Sequence, residues 1–257
     1  MITKKELDDL LDRPIFLFEK YHKKSKIKKA GIQISLTAPK EWQKVYFKFY
    51  PRCENIILPN PSKFLKMGLS AALHKRKSCR NFGDKKLSLD ILTNLLYYSS
   101  GLKNKRNRQQ GNRFYPSGGA RYPLELYVIS TNTELPNGIY HYLPLNHSLE
   151  LLNTQKKIKI SDFAFQPWTH KAAVLIVISA IFSRSSVKYR ESAYRYSLLE
   201  AGHLGQNISL VSEALDCGCL ALGGILEEKL ERILDIDGMQ ESIVYTFAVG
   251  NKSSTNI

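Results

Sequence analysis

A short basic stretch, residues 76–82, has the composition of an anion-binding site. Its sequence is Arg-Lys-Ser-Cys-Arg-Asn-Phe, so Arg76 and Arg80 lie four positions apart with Ser78 between them. Near a helix end or a turn, positions i and i+4 point the same way, and both guanidinium groups can reach one anion. Arginine presents a planar fork of donors that suits phosphate, and serine adds a hydroxyl donor. A solvated helix terminus is the simpler alternative.

A loop with two adjacent glycines could bring backbone close to a flat ligand. Pro116, Ser117, Gly118 and Gly119 precede a segment at 124–130 that is typical of a strand. Because glycine has no side chain, the two glycines leave backbone N–H groups open to a ligand at short range. The proline at each end, at positions 116 and 123, stiffens the loop because its ring fixes φ. The stretch indicates a rigid cradle beside a sheet, with an ordinary tight turn as the alternative.

The elements that position these stretches are predicted from periodicity and end signals. Ser62 could cap a helix whose apolar positions, from Phe64 to Leu73, share one face. A second helix is predicted from its N-cap Ser88 to Gly101. A continuous apolar run at 172–180 indicates a fully buried central strand.

Further strands and helices are interleaved without the regular alternation of a doubly wound sheet. We expect strands at 124–130, 139–144, 149–153 and 243–249, and helices at 191–216 and 227–234. Gly218 is expected to end the long helix. The small residues Ala201, Gly202 and Gly205 are expected to let another element approach that helix closely. The pattern predicts the α+β class.

Composition limits the class of protein. With 257 residues, 43% apolar and 24% charged, the chain has an ordinary globular composition. No stretch approaches the roughly 18 consecutive apolar residues of a membrane helix, and the N-terminus lacks a secretory apolar core. We therefore expect a cytoplasmic location. The four cysteines lack metal-ligand spacing and are expected to be reduced thiols.

The formal net charge of +15 favours anionic partners. The basic residues are concentrated in three segments, 20–29, 74–80 and 103–113. Binding to nucleic acid is one function that this charge allows, but the sequence has no zinc ribbon, RNP-like strand or helix-turn-helix signature. A solvated surface, an acidic peptide or a phosphate-bearing cofactor would also account for the charge.

Taken together, the motifs resemble the nitroreductase superfamily, and within it the azoline dehydrogenase branch of SagB/McbC-type oxidases. The resemblance rests on the Arg-Ser-Arg stretch, the Pro-Ser-Gly-Gly loop and a Gly223-Gly224 pair. Further matching segments lie at 124–128, 138–145, 147–150 and 194–207. The resemblance covers roughly residues 70 to 250, and residues 1–60 contribute nothing to it.

The resemblance implies a fold and a cofactor. The fold is nitroreductase-like, with a mixed, mainly antiparallel sheet flanked by helices, and two copies intertwine in a homodimer that binds FMN at its interface. The residues implied to hold the FMN phosphate and ribityl chain are Arg76, Ser78 and Arg80. The residues implied to approach the flavin ring or its polar tail are Pro116, Ser117, Gly118, Gly119, Gln206, Asn207, Gly223 and Gly224. No metal is implied.

The pair Lys188-Tyr189 is the implied catalytic machinery. It follows the buried strand and a polar stretch, so we expect it at a sheet edge near the cofactor. The azoline dehydrogenase branch is similar in carrying a Lys-Tyr pair here, although the dipeptide alone is common on surfaces. Aromatising an azoline ring removes a proton and a hydride. Lys188 is a candidate base if burial and Arg190 favour its neutral form, and Tyr189 a candidate relay; the two roles can be exchanged. Arg121 is expected to point to solvent.

The resemblance also implies partners. We expect a domain at 61–257 that binds FMN and an N-terminal elaboration at 1–60 that docks partners. The implied partners are an azoline-bearing precursor peptide, a cyclodehydratase and a leader-binding protein, with no nucleic acid or membrane. Two alternatives stay open: a flavin reductase that takes hydride from NAD(P)H, and a noncatalytic scaffold of a peptide-modifying complex.

Overall fold

The computed structural model describes residues 16–26, 47–103, 111–154 and 158–253. Within these ranges the chain forms seven strands: β1 (Glu54–Ile57), β2 (Leu124–Ser130), β3 (Gly138–Leu143), β4 (Ser148–Asn153), β5 (Val174–Ile181), β6 (Cys217–Leu222) and β7 (Glu241–Asn251). The helices in the same ranges are α1 (Leu17–Lys24), α2 (Leu69–Lys75), α3 (Leu89–Ser100), α4 (Ser183–Tyr189), α5 (Ser192–Ala214) and α6 (Glu227–Leu234). Residues 104–110 of the third basic segment and residues 27–29 of the first lie outside the described residues.

The strands form one sheet in the order β1-β4-β3-β2-β5-β7-β6, and each neighbouring pair is antiparallel. A parallel contact joins Ser78 to Cys219 as an isolated bridge at the edge strand β6. β5 is buried from Val174 to Ala180 and lies between β2 and β7, which confirms the predicted central strand. The interior strands are apolar because both of their faces are covered.

Alternation along β2 divides the core between the two faces of the sheet. Leu124, Leu126 and Val128 belong to a cluster that includes the buried residues of α3 and α5. Tyr127 and Ile129 belong to a second cluster on the opposite face, which includes the buried leucines of α6. Helices therefore flank the sheet on both sides, as expected for the predicted α+β class.

Two helix predictions had different outcomes. The helix from Ser88 to Gly101 is confirmed, since the Ser88 hydroxyl accepts from the Ile91 N–H at 3.3 Å and Gly101 follows the last turn. The prediction that a helix begins after Ser62 is wrong, because α2 begins only at Leu69. Ser62 is bound to α3 instead: its N–H donates to the Asn94 side chain at 2.8 Å.

The long helix α5 ends earlier than predicted. It stops at Ala214, and Gly218, expected to terminate it, lies inside β6. A Cβ on Gly218 would lie 2.5 Å from Cys79 Sγ, so this glycine permits the chain around residue 79 to pack on the strand. Gly205 does allow a close approach, since a Cβ there would lie 2.6 Å from the Phe247 ring of β7. The approach at Gly205 lets α5 pack closely against the sheet.

Candidate functional site

The Gly118-Gly119 loop is in contact with the Lys188-Tyr189 pair. The loop forms a single 3₁₀ turn from Gly118 to Ala120, and Gly119 has a φ of +62°. A Cβ on Gly119 would lie 2.6 Å from the Tyr189 hydroxyl oxygen and 2.8 Å from Lys188 Nζ. The left-handed backbone therefore favours glycine at position 119, and the missing Cβ leaves room for the ends of the two side chains beside it. The structure brings together two motifs that are far apart in the sequence.

Lys188 and Tyr189 lie at the end of a helix rather than at a sheet edge. The polar stretch before them is the body of α4, which ends at Tyr189. Lys188 Nζ is 5.3 Å from the centroid of the Tyr189 ring, whose edge-on neighbour is Tyr196 at 5.1 Å. Arg190 follows with φ +48° and ψ −130°, a combination that residues with a side chain rarely adopt. This strained residue turns the chain sharply from α4 into α5.

Buried arginines hold α4 beside the loop. The Arg184 guanidinium lies 2.5 Å from the Glu125 carboxylate and donates to the Tyr122 carbonyl at 3.1 Å. Arg121 donates through Nε to the Arg184 carbonyl at 2.7 Å. The expectation that Arg121 points to solvent is wrong, since its side chain is buried. Strand, loop and helix are thus tied at one point, close in the chain to the Lys188-Tyr189 pair.

A buried histidine extends this network across the sheet. His141 bridges two carboxylates, with Nε2 3.0 Å from Glu125 and Nδ1 2.7 Å from Glu150. Burial lowers the pKa of His141, but hydrogen bonds to Glu125 and Glu150 outweigh it and raise the pKa above its usual value. Burial also opposes ionisation of Glu125, yet Arg184 and His141 lower its pKa to about 2. The network is therefore made of paired charges.

A second buried carboxyl group, Glu200 on α5, lies beneath the loop. Its side chain is 4% exposed. Burial raises the pKa of Glu200 to about 7, although the Ser117 hydroxyl, Arg113 and the Gly118 N–H oppose that shift. No motif in the sequence assigns Glu200 a role. The available signal was its place on the core-facing stripe of α5, where its buried neighbours Ala201 and Leu204 are apolar.

The Arg-Ser-Arg stretch begins at a helix end, as expected, and continues as extended chain. α2 ends at Lys75, and Arg76 is its C-cap residue, so the stretch is not helical. The chain instead runs along the edge of β6, where the Cys79 N–H donates to the Cys219 carbonyl at 2.9 Å. Arg76, Ser78 and Arg80 are all exposed there. Their donors remain accessible to an anion at the sheet edge.

The other expected cofactor residues are spread along β6 and α5. Gly223 and Gly224 follow β6, and a Cβ on Gly224 would lie 2.6 Å from the Gln166 amide nitrogen. The Asn207 amide donates to the Ser99 carbonyl at 3.4 Å, which joins α5 to α3, and Gln206 is exposed. The contacts seen for these residues do not join them to the glycine loop.

Comparison with known proteins places the chain in a family. The family model described as "Nitroreductase family" matches residues 73–251. The chain belongs to the nitroreductase family. The protein named nitroreductase MJ1384 of Methanocaldococcus jannaschii is 30% identical to this chain over 171 residues, which are 65% of this chain and 84% of that protein.

Two proteins named for the processing of a microcin and of trifolitoxin are also similar to this nitroreductase-family chain. The microcin B17-processing protein McbC of Escherichia coli is 31% identical over 166 residues, which are 61% of this chain and 60% of McbC. The trifolitoxin-processing protein TfxB of Rhizobium leguminosarum bv. trifolii is 29% identical over 175 residues, 63% of this chain and 47% of TfxB. The chain thus matches less than two thirds of the length of either protein.

Solved structures support the same fold. A nitroreductase from Ralstonia eutropha superposes with a TM-score of 0.68 at 24% identity, covering 82% of this chain and 98% of that one. A chain of the E. coli microcin synthetase McbBCD complex with truncated pro-MccB17 bound superposes with a TM-score of 0.57 at 21% identity, covering 98% of this chain and 96% of that one. The predicted nitroreductase-like fold is confirmed.

The exposed donors and the open loop fit a planar cofactor that carries a phosphate. Gly118 and Gly119 are exposed, so their backbone is accessible to a flat ring, while the Arg76 region offers cationic donors for a phosphate. α5 supports both places, because it passes beneath the loop at Glu200 and packs against β6. Within the described residues there is no cluster of three or more metal-ligand side chains.

Two further sequence expectations can be compared with the structure. All four cysteines are free thiols, as expected. Of the helices in the described ranges, none has the length and apolar character needed to span a bilayer.

Proposed function

We propose that this chain is an FMN-dependent dehydrogenase that oxidises thiazoline or oxazoline rings of a ribosomally made peptide to thiazoles or oxazoles. The observation that carries the proposal is the contact of Lys188 and Tyr189 with Gly119. It places a candidate base and a phenol beside the loop that would line the flavin. The likeness to McbC and TfxB, both named as processing proteins of peptide toxins, supports a peptide substrate.

In this proposal each group at the site has a defined task. FMN, when bound, would supply the hydride acceptor. Arg76, Ser78 and Arg80 would bind its phosphate, and Gly118 and Gly119 would leave the ring open to the substrate. The carbon that loses a proton lies next to a carbonyl, so an amine or phenolate can act as the base. Lys188 and Tyr189 supply both groups, and the Arg184 contacts hold them in place.

We also propose that the protein acts as a homodimer. The side chains of Tyr194, Leu198 and Leu199 on α5 are exposed apolar groups along one stretch of the helix. Such a patch on the helix beneath the glycine loop is suited to burial against a second copy. Assembly with a second copy would also cover the open side of the cofactor site.

The N-terminal segment is proposed to dock partners. Within residues 1–60, α1 is attached to the start of α5: the Tyr21 hydroxyl donates to the Glu191 carbonyl at 2.7 Å, and the Ser192 hydroxyl donates to the Ser25 carbonyl at 2.8 Å. This attachment lies directly after Lys188 and Tyr189 in the chain. The solved microcin synthetase McbBCD complex with truncated pro-MccB17 bound supports partner proteins and a precursor-peptide substrate. The partners that we propose are a cyclodehydratase and a leader-binding protein.

The proposal is tested by assaying purified, FMN-loaded protein with a peptide that contains one thiazoline ring. We expect the ring to lose two hydrogens, measured by mass spectrometry. Lys188→Ala and Tyr189→Phe should each lower the rate by about 10²- to 10⁴-fold, the range for loss of a general acid or base. Lys171→Ala, which removes an exposed lysine paired with Asp84, is the matched control and should not change the rate.

Two results would replace this proposal with an alternative. Rapid bleaching of the flavin by NADPH, together with no azoline oxidation, would favour a reductase like the relative named as a nitroreductase. Failure of the protein to bind FMN at all would leave a noncatalytic scaffold.

A further inference from the structure

Glu200 occupies an unusual position for an acidic residue. It projects from α5 into the space beneath the Ser117-Gly118 segment, and its side chain is 4% exposed. The Ser117 oxygen accepts from the Tyr122 N–H at 2.8 Å, so the Ser117 hydroxyl proton can be donated to Glu200. The Gly118 N–H also acts on this carboxyl group, and like the Ser117 hydroxyl it opposes the rise of the Glu200 pKa. Glu200 therefore lies beside the loop with two neutral donors near its carboxyl group.

The hydrogen-bonding capacity of this buried region is not satisfied. Among the described residues, Oε1 of Glu200 has no hydrogen-bond partner, and neither have Nε and Nη2 of Arg113. Arg113 is the cation facing Glu200, yet no ion pair within 4.0 Å joins the two in the described part of the chain. A buried carboxylate without a close cation carries a desolvation cost that protonation removes.

We infer that Glu200 takes up a proton when the bound cofactor gains negative charge. Hydride transfer to bound FMN would bring two electrons and one proton, and so would add one negative charge to the site. The Glu200 carboxylate then binds one proton from solvent and becomes a neutral carboxylic acid, which keeps the net charge of the site constant. Glu200 contacts the loop rather than the cofactor, so it is a positioning residue. The inference rests on the FMN site of the proposed function but not on the substrate.

The surrounding charges decide which carboxyl group takes up the proton when the cofactor gains negative charge. From the loop side, the groups that act on Glu200 are the neutral Ser117 hydroxyl and Gly118 N–H. Lys188 and Tyr189 contact the next residue of the loop, Gly119. From the sheet side, Arg113 faces Glu200, and it also interacts with Tyr115 and Glu125. Because burial raises the pKa of Glu200 to about 7, a small added negative potential is enough to change its protonation near neutral pH.

The test is the midpoint potential of bound FMN, measured spectroelectrochemically from about pH 5 to about pH 9. In the wild type, the dependence on pH should become steeper above about pH 7, by about one extra proton per two electrons. Glu200→Gln should show one uniform slope over the range. Glu200→Asp, which keeps the carboxyl group, should retain the steeper region. The matched control is Glu213→Gln, which removes a buried carboxylate of the same helix that is paired with Lys252, and it should retain the wild-type break.

A second measurement uses only the wild-type protein, so it does not depend on the folding of a variant. The infrared difference spectrum between reduced and oxidised wild type at about pH 8 should contain a carboxylic-acid C=O band that shifts with ¹³C-labelled glutamate. Absence of that band, or equal slopes in wild type and Glu200→Gln, would overturn the inference. Failure to bind FMN would overturn it together with the proposed function. FMN-loaded protein that leaves azolines unchanged would overturn only the azoline assignment, and the titration would still decide the role of Glu200.

Discussion

Glu125 and Glu200 are both almost fully buried, 2% and 4% exposed, but their surroundings act in opposite directions. Glu125 on β2 is enclosed by Arg184 at 2.5 Å and His141 at 3.0 Å, and its pKa is lowered to about 2. Glu200 on α5 has two neutral donors and a more distant arginine, and burial raises its pKa to about 7. The comparison separates a carboxylate that fixes structure from one whose proton is exchangeable at neutral pH.

The two carboxylates support different parts of the same site. Glu125 binds Arg184 of α4, the helix that ends in Lys188 and Tyr189. Glu200 binds the Ser117-Gly118 segment, whose neighbour Gly119 contacts that pair. Removing one partner of a buried ion pair lowers the stability of the fold strongly. A buried charge without a close partner, in contrast, is itself destabilising. Removing each carboxylate should therefore have effects of opposite sign on stability.

The largest expected effect is that of Glu125→Gln. The change leaves Arg184 without its carboxylate in a buried environment, and His141 keeps only Glu150. Loss of one partner of a buried ion pair costs about 3–5 kcal/mol, so we expect that decrease in the free energy of unfolding, measured in urea at about pH 7. A decrease below about 1 kcal/mol would show that the network does not hold α4.

Glu200→Gln is expected to have the opposite sign. The pKa of Glu200 is about 7 in the folded protein against an ordinary 4.5, so the folded state binds more protons between these values. Stability therefore falls as pH rises through this window. The glutamine variant escapes that loss and should be about 2–3 kcal/mol more stable than wild type at pH 8, with little difference near pH 4.

The measurement is a pair of urea titrations, at pH 8 and near pH 4, with equal protein concentrations because assembly affects apparent stability. A glutamine variant that is less stable than wild type at pH 8 would contradict the comparison. It would mean that Glu200 is a paired structural charge like Glu125.

A smaller effect is expected from Gly119→Ala. The new Cβ would meet the Tyr189 hydroxyl and Lys188 Nζ, and the backbone φ is positive, so we expect a loss of about 1–2 kcal/mol together with weaker FMN binding. Gly202→Ala is the matched control, because beyond its chain neighbours and the nearby backbone of its own helix nothing described lies within 4 Å of the added Cβ. Because Gly202 lies inside helix α5, its replacement by alanine should raise the free energy of unfolding by up to about 1 kcal/mol. Equal effects at both glycines would contradict the proposed contact.

Much of the fold could be predicted from local signals. The cap at Ser88, the buried run in β5 and the bounds of α6 depend on residues close together in sequence, and the structure confirms them. The predictions that failed depended on distant partners. Ser62 is bound by Asn94 instead of capping a helix, and the residues around Cys79 pair with β6.

The candidate site could also be predicted only in part, because some of its residues belong to local motifs and others depend on distant partners. The glycine loop and the Lys188-Tyr189 pair are recognisable motifs, and the structure brings them together. Arg121 and Glu200 are different, because their environments are created by α4 and by the loop only after folding. Nothing in the sequence around Arg121 indicates its burial, whereas Glu200 has one such sign, its place on the core-facing stripe of α5.

The central claim is that the cofactor binds against the Gly118-Gly119 loop beside Lys188. The most direct test is to acetylate the protein with and without FMN and to follow Lys188 by mass spectrometry, with the exposed Lys171 as the internal reference. We expect FMN to slow the modification of Lys188 several-fold and to leave that of Lys171 unchanged. Equal rates at Lys188 with and without bound FMN would contradict it.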